Sequence, residues 1–207
     1  MTIATYAELQ STIALFINRD DSAAIIPTWI SMAEDNMNRA VRHWRQEKRS
    51  SANLNSRYNE VPDDFLQIIR FGITSNKTSS LDLISQGEIL DRRSKSANVS
   101  GLPLFYALTA GEIELFPTPA EAYPTELYYY SKIDRLSDTN TSNWLLSNFQ
   151  DAYLYGSLIH SAPYLGDDGR LPVWAALHQS AIDAINVESE AVKSGGSGRR
   201  LKIRGLS

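Results

Sequence analysis

Adjacent carboxylates are the first residues whose type and spacing suit chemistry: Asp20-Asp21, Asp63-Asp64 and Asp167-Asp168. Paired carboxylates can carry acid–base steps or hold a hard cation. Chain neighbours rarely aim at one point, however, and each pair stands at a turn or a helix start. Aspartate is favoured there because it caps free N–H groups and complements the helix dipole, so capping and turn formation are the roles expected of all three pairs. His43, His160 and His178 are far apart and belong to no H-E-x-x-H or similar pattern. His160 falls on the apolar side of a helix, which predicts a hydrogen-bonded core histidine rather than a metal ligand. No G-x-S-x-G, P-loop or G-x-G-x-x-G occurs. The absence of cysteine excludes disulfides, thiolate metal sites and a thiolate nucleophile. The expectation is no catalytic residue, no metal site and no cofactor.

Two features suit binding instead. Tyr123, Tyr128, Tyr129 and Tyr130 form a dense aromatic patch. On a strand Tyr128 and Tyr130 point one way and Tyr129 the other. Such a patch serves as a strand buried on both sides with wet phenol tips, as a subunit interface, or as a sugar platform. The second feature is the C-terminal stretch Arg199-Arg200-Leu201-Lys202-Ile203-Arg204. Past the paired arginines it alternates basic and apolar residues, so an extended chain would show Leu201 and Ile203 on one face and cations on the other. That suits strand addition to a partner's sheet edge or insertion into a groove. Phosphate contact is a further use, weakened by the lack of interleaved aromatics, and a disordered solubilising tail is the plain alternative.

The charge balance sharpens this reading. Residues 193–207 hold five cations and no acid; removing those five from the 20 Lys and Arg leaves 15 against 24 Asp and Glu, a formal −9 for residues 1–192. An acidic body with a basic tail predicts that the tail meets an acidic partner and that the body does not grip duplex DNA. The first residues lack a secretory pattern, and no apolar run reaches membrane-spanning length.

Periodicity gives the elements that position these residues. Thr5-Tyr6-Ala7-Glu8 fits a capping box, and Tyr6, Leu9, Ile13, Phe16 and Ile17 keep helical spacing behind it. Residues 18–22 break that helix and supply the next N-cap. A second helix shows Ile26, Trp29, Ile30, Ala33, Met37, Val41 and Trp44 on one face, with Glu34, Asp35, Asn38, Arg39 and Arg42 mostly opposite; Pro27 implies a kink or a later start. Residues 45–58 read as a polar connection and 60–65 as a turn. Strands follow at 66–74 and 81–84, with a helical turn over 85–91 capped by Ser85 and a flexible polar stretch to Gly101. A hairpin covers 104–116 around Thr109-Ala110-Gly111, and a tyrosine-rich strand 125–133. A helix over 144–165 and a last one with Trp174, Leu177, Ala181, Ala184 and Ile185 on one side close the chain before the glycine-rich 194–198. The fold class is α+β: helix pairs from both ends pack as one body (1–45 and 140–193). An antiparallel sheet or sandwich (46–139) is inserted, and an extended tail (194–207) follows.

With those residues in view, the chain resembles the head-to-tail adaptor (connector) proteins of short-tailed bacteriophages. The resemblance rests on the order of several plain signals along most of the length. They are Thr5-Tyr6-Ala7-Glu8-Leu9, Ile25-Ile26-Pro27-Thr28-Trp29-Ile30 and Val61-Pro62-Asp63-Asp64-Phe65-Leu66, then Gly101-Leu102-Pro103 with Tyr106-Ala107-Leu108, and Ile113-Glu114-Leu115-Phe116-Pro117-Thr118-Pro119. Last come Leu127-Tyr128-Tyr129-Tyr130, Asn143-Trp144-Leu145-Leu146 and Asp151-Ala152-Tyr153-Leu154-Tyr155-Gly156. The resemblance implies a non-enzymatic virion protein of the phage neck, assembled in the host cytoplasm as a homo-oligomeric, dodecameric ring. Such a ring sits between the portal protein and the tail nozzle protein, and DNA passes through its lumen without sequence-specific binding or membrane contact. It also implies that the C-terminal segment reaches the portal, with Arg199, Arg200, Lys202 and Arg204 as anchors and Leu201 and Ile203 between them. Tyr128, Tyr129 and Tyr130 are the candidate subunit interface. The competing reading is a glycan- or ligand-binding module that uses the tyrosine patch; a phage enzyme lacks its motifs.

Overall fold

The computed structural model describes residues 3–74, 79–95, 99–166 and 169–195. In chain order the elements are α1 (Tyr6–Ile17), α2 (Ile26–Ala40), β1 (Glu47–Leu54), β2 (Tyr58–Glu60), β3 (Phe65–Ile73), β4 (Ser79–Ser80) and β5 (Asp82–Leu83). Next come α3 (Gln86–Lys95), β6 (Ser100–Gly101), β7 (Phe105–Thr109), β8 (Glu112–Phe116), β9 (Thr118–Pro119) and β10 (Tyr123–Ser131). The chain finishes with α4 (Trp144–Asn148), α5 (Gln150–His160), α6 (Ala162–Leu165) and α7 (Leu171–Ser194). The fold is α+β, and the chain divides into a helical unit of residues 1–45 and 133–207 and a β unit of residues 46–132.

In the helical unit, α1 opens on the capping box. Thr5 Oγ1 accepts the Glu8 N–H at 3.3 Å, and the Glu8 carboxylate accepts the N–H groups of Ala4 (2.7 Å) and Thr5 (3.1 Å). Those backbone bonds hold the Glu8 carboxyl below its usual range. Thr5→Ala is expected to cost about 1 kcal/mol, read as a lower thermal midpoint, because one first-turn N–H loses its acceptor. Phe16, expected inside, lies in the last turn and is exposed; Ile17 closes the core there. Helix α2 begins late, at Ile26, which puts Pro27 in the first turn where its missing N–H is not needed. No side chain caps it, although residues 18–22 were expected to supply the cap; the Ser22 hydroxyl donates to the Arg19 carbonyl instead. The apolar stripe stops at Val41, because Trp44 sits in a separate 3-10 turn (Trp44–Gln46) with its ring exposed.

Glu34 corrects a further expectation. It is buried rather than solvent-facing, and it accepts the Leu136 N–H at 2.8 Å and the Tyr153 hydroxyl at 3.2 Å. Burial raises its pKa, with those two bonds opposing. The Leu136 bond ties residues 133–136 to α2, and Ile133 and Leu136 belong to the helical core; this places the start of the second segment at Ile133, upstream of the expected 140.

The helix expected over 144–165 is three helices. Ser147 and Asn148 side chains donate to the carbonyls of Asn143 and Trp144, and Phe149 leaves helical geometry at φ −136°, ψ 63°. Pro163 sits in the first turn of α6. The core of the unit draws Leu9 and Ile13 from α1, Ile30 and Met37 from α2, Tyr153 and Leu158 from α5, and Trp174 and Ile185 from α7. Helix α5 packs against α1, α2 and α7. On α7 the core face is Trp174, Ala181, Ile182, Ile185 and Ser189; Leu177 and Ala184, expected on that face, are exposed.

The β unit is a sandwich. One sheet has the order β1-β10-β3-β4 and the other β2-β8-β7-β5; β6 and β9 form a separate pair. The first sheet is antiparallel, whereas β5 joins β7, and β6 joins β9, in parallel. Phe71, Ile73 and Leu127 of one sheet share a core with Tyr106, Ile113 and Leu115 of the other, and the Phe71 and Tyr106 rings meet edge to face at 5.3 Å. The hairpin β7–β8 turns on Ala110 and Gly111 alone, both at positive φ (51° and 85°), as a two-residue primed turn requires. Strand β1 stands where a polar connection was expected, and it pairs with β10 over eight residues. Helix α3, capped by Ser85 as expected, runs on to Lys95; residues 96–98 of the expected flexible stretch lie outside the described residues.

Candidate assembly surfaces

Among the described residues, no three His, Asp or Glu side chains come together as a metal site. Within the described residues, Asp21 and Asp64 have structural roles. Asp21 forms a 3.1 Å ion pair with Arg19. Asp64 accepts the Lys48 ammonium at 2.6 Å and the Tyr129 hydroxyl at 2.8 Å; burial pushes its carboxyl up, and the two bonds outweigh that and hold it low. Asp167 and Asp168 lie outside the described residues.

The histidines are held singly in the helical unit. Buried His43 stacks on Trp144 (centroids 4.9 Å apart, planes 15°), with Glu188 3.6 Å from its Nε2. His160 Nε2 is 2.8 Å from the Asn36 amide, and His178 Nδ1 is 3.1 Å from the Ala152 carbonyl. Burial pushes the pKa of all three down. His160 is hydrogen-bonded, as expected, but it is half-buried on the wall of a groove rather than in the core.

The tyrosines of β10 divide between the two faces of their sheet. Tyr129 is buried in the sandwich, where it touches Phe65 and Asp64; burial and the Asp64 carboxylate push its pKa up to about 12. That removes Tyr129 from the candidate subunit interface. Tyr128 lies on the outer face, opposite Arg49 on β1 and Arg70 on β3. Its hydroxyl donates to Glu126 at 3.4 Å, and Glu126 also pairs with Arg49 at 3.4 Å. Tyr130 is half-buried opposite Glu47 and Gln67. Within the sandwich, a cavity of about 340 Å³ opens between β1 and the end of β2 with the residues that follow it, over Phe71, Ile113 and Leu127. None of Tyr128, Tyr129 and Tyr130 lines it.

The helical unit has an apolar groove of about 540 Å³ between α2, α5 and α6. Ile25, Trp29 and Met32 form one wall, and Ile159, Pro163 and Tyr164 the other. A sheet face and an apolar groove are surfaces of the kind that take part in protein contacts. A family model described as SU10 adaptor protein matches residues 4–201, a span that takes in both units. The chain belongs to the SU10 adaptor family.

It is therefore a phage head–tail adaptor, as the ordered signals along the sequence suggested. No protein with a curated description matches it. Among the described residues, no helix of this adaptor is long and apolar enough to cross a membrane. The basic stretch Arg199, Arg200, Leu201, Lys202, Ile203 and Arg204 lies outside the described residues. Two features of the adaptor were not foreseen: the eight-residue outer edge of β1 and a second apolar face on α7. The second had a signal, the 4-3-4-3-4 spacing of Val173, Leu177, Ser180, Ala184, Val187 and Ala191.

Proposed function

We propose that this adaptor assembles as a ring, expected to be dodecameric, that joins the portal to the tail nozzle in the virion neck and lines the channel through which DNA leaves the head. The family match over residues 4–201 carries this reading. The charge layout supports it: a body of formal charge −9 lets DNA slide past a surface that neutralises few phosphates.

In this reading the basic tail anchors the adaptor to an acidic portal surface, and Leu201 and Ile203 dock between the cations. A subunit tethered to the portal raises the local concentration of its neighbours, which then close laterally. Solution mass by light scattering, for the adaptor alone and mixed with its portal, tests the proposal. A ring-sized complex that forms on the portal and is lost on removal of residues 194–207 is the expected result. Serine at Arg199, Arg200, Lys202 and Arg204 together should abolish portal binding; unchanged binding would remove the tail from the mechanism. An adaptor that stays monomeric and indifferent to the portal would overturn the reading as a whole.

A further inference from the structure

Helix α7 has two apolar faces, and the helical unit covers only one. Trp174, Ala181, Ile182 and Ile185 are buried. About a third of a turn around the axis, Val173 (58 % exposed), Leu177 (41 %) and Val187 (67 %) stand in solvent. Exposed Ala184 and Ala191 fall between and beyond them on the same line. At 100° per residue these positions keep within about 40° of one line, and the line extends about 27 Å from Val173 to Ala191. Small alanines between larger side chains make a ridge on which a second helix can settle closely. An unpartnered apolar ridge of that length marks an interaction surface.

The matching surface is in the same unit. The groove beside α2 is floored and walled by apolar groups of α2, α5 and α6, and no residue of α7 lines it. Asn36 and Arg39 continue its α2 wall, so that wall spans about 21 Å from Ile25 to Arg39, within about one helical turn of the ridge. Charge agrees as well. Asp183 and Glu190, seven residues apart, flank the ridge on its solvent side. Arg39, exposed and bonded to Asn36, stands at one end of the groove; at the other, Arg19 over the Tyr164 ring is already paired with Asp21.

We propose that the α7 ridge of one adaptor seats in the α2–α5–α6 groove of a second copy, with Glu190 facing Arg39. The two surfaces differ and do not overlap, so the contact is head-to-tail, and a head-to-tail contact whose rotation closes generates a ring. The inference rests on the ring reading above and names the surfaces that close the ring.

The lack of native cysteine makes the test direct. Leu177→Cys and Met32→Cys are introduced together and separately into the full chain, which is then treated with a bismaleimide linker, alone and with the portal present. The double variant is expected to give a ladder of linked copies, and each single variant none. Arg39→Glu should diminish the ladder, and adding Glu190→Arg should restore it; circular dichroism confirms that each variant is folded. No ladder from a double variant that still reaches ring mass by light scattering overturns this interface and leaves the ring reading standing. A ladder from Leu177→Cys alone overturns the head-to-tail arrangement. Linkage to the portal in place of a second copy, or a monomer under both conditions, overturns the interface; the monomer overturns the ring reading with it.

Discussion

Glu114→Gln is expected to lower stability by about 3 kcal/mol, read as a fall in the denaturant midpoint with an unchanged slope. The carboxylate is fully buried on β8. It accepts Arg57 Nε at 2.7 Å, Arg93 Nε at 2.9 Å and the Gln86 amide at 2.6 Å, so one side chain joins β8 to α3 and to the strand start before β2. The amide fills the same space, but it leaves two guanidiniums with no countercharge. Arg57 is partly exposed and recovers water; Arg93 is nearly buried and also donates to the Leu115 carbonyl and to Thr118 Oγ1, so it cannot withdraw without breaking those bonds. Most of the loss is therefore the uncompensated Arg93 charge, and Arg57→Ala should cost distinctly less than Arg93→Ala. The pH dependence has a definite sign. Burial pushes the Glu114 carboxyl up, but the bonds from Gln86, Arg57 and Arg93 win and hold it below its usual 4.5. A depressed folded pKa contributes stability above the unfolded value and loses it as pH falls through the folded one. The gap between wild type and Glu114→Gln should accordingly narrow as pH drops below that range.

Glu114 also shows which parts of the structure the sequence discloses. Local signals were readable: the Thr5–Glu8 box, the Ala110-Gly111 hairpin, the Ser85 cap, and the alternation that separates Tyr129 from Tyr128 and Tyr130. Each is settled within a few residues. The three-way ion cluster is not local, because Arg57, Arg93 and Glu114 meet only when β8 lies beside both β2 and α3. Strand β1 was missed for a related reason. Lys48-Arg49-Ser50-Ser51-Ala52-Asn53 has little strand propensity, and its conformation comes from eight residues of backbone pairing with β10. On α7 the spacing disclosed a helix but not its orientation. Trp174, Ala181 and Ile185 make one stripe, Leu177, Ala184 and Val187 another, and the two were merged because either could face a core. Packing against α5 decides between them, and the stripe left outside becomes the candidate contact with a second copy.

Gly156→Ala is the other large expected loss, and two opposed effects meet there. Glycine in a helix interior is about 1 kcal/mol worse than alanine, so propensity alone predicts a gain. The packing says otherwise. A Cβ at Gly156 would lie 2.9 Å from His178 Cε1, 3.1 Å from His178 Nδ1 and 3.3 Å from Ala33 Cβ. Helix α5 would press at once on α7 and on α2. The His178 ring cannot simply swing clear, because its Nδ1 is bonded to the Ala152 carbonyl one turn earlier on α5. Overpacking of this kind costs about 1–3 kcal/mol, and losing the buried bond adds about 1. The net expectation is a loss of about 1–3 kcal/mol, seen as a lower thermal midpoint. Gly156→Val should be worse, because a branched side chain has no rotamer free of both neighbours. A second substitution isolates the cause: in a His178→Ala background, Gly156→Ala should cost much less, and the pair should fall short of additivity by more than about 0.5 kcal/mol. Full additivity would mean that the clash is absorbed by helix movement. In that case the spacing of α2 and α7 across α5, which sets the ridge and the groove in their places, would itself shift, and the linked ladder of the cysteine variants should weaken with it.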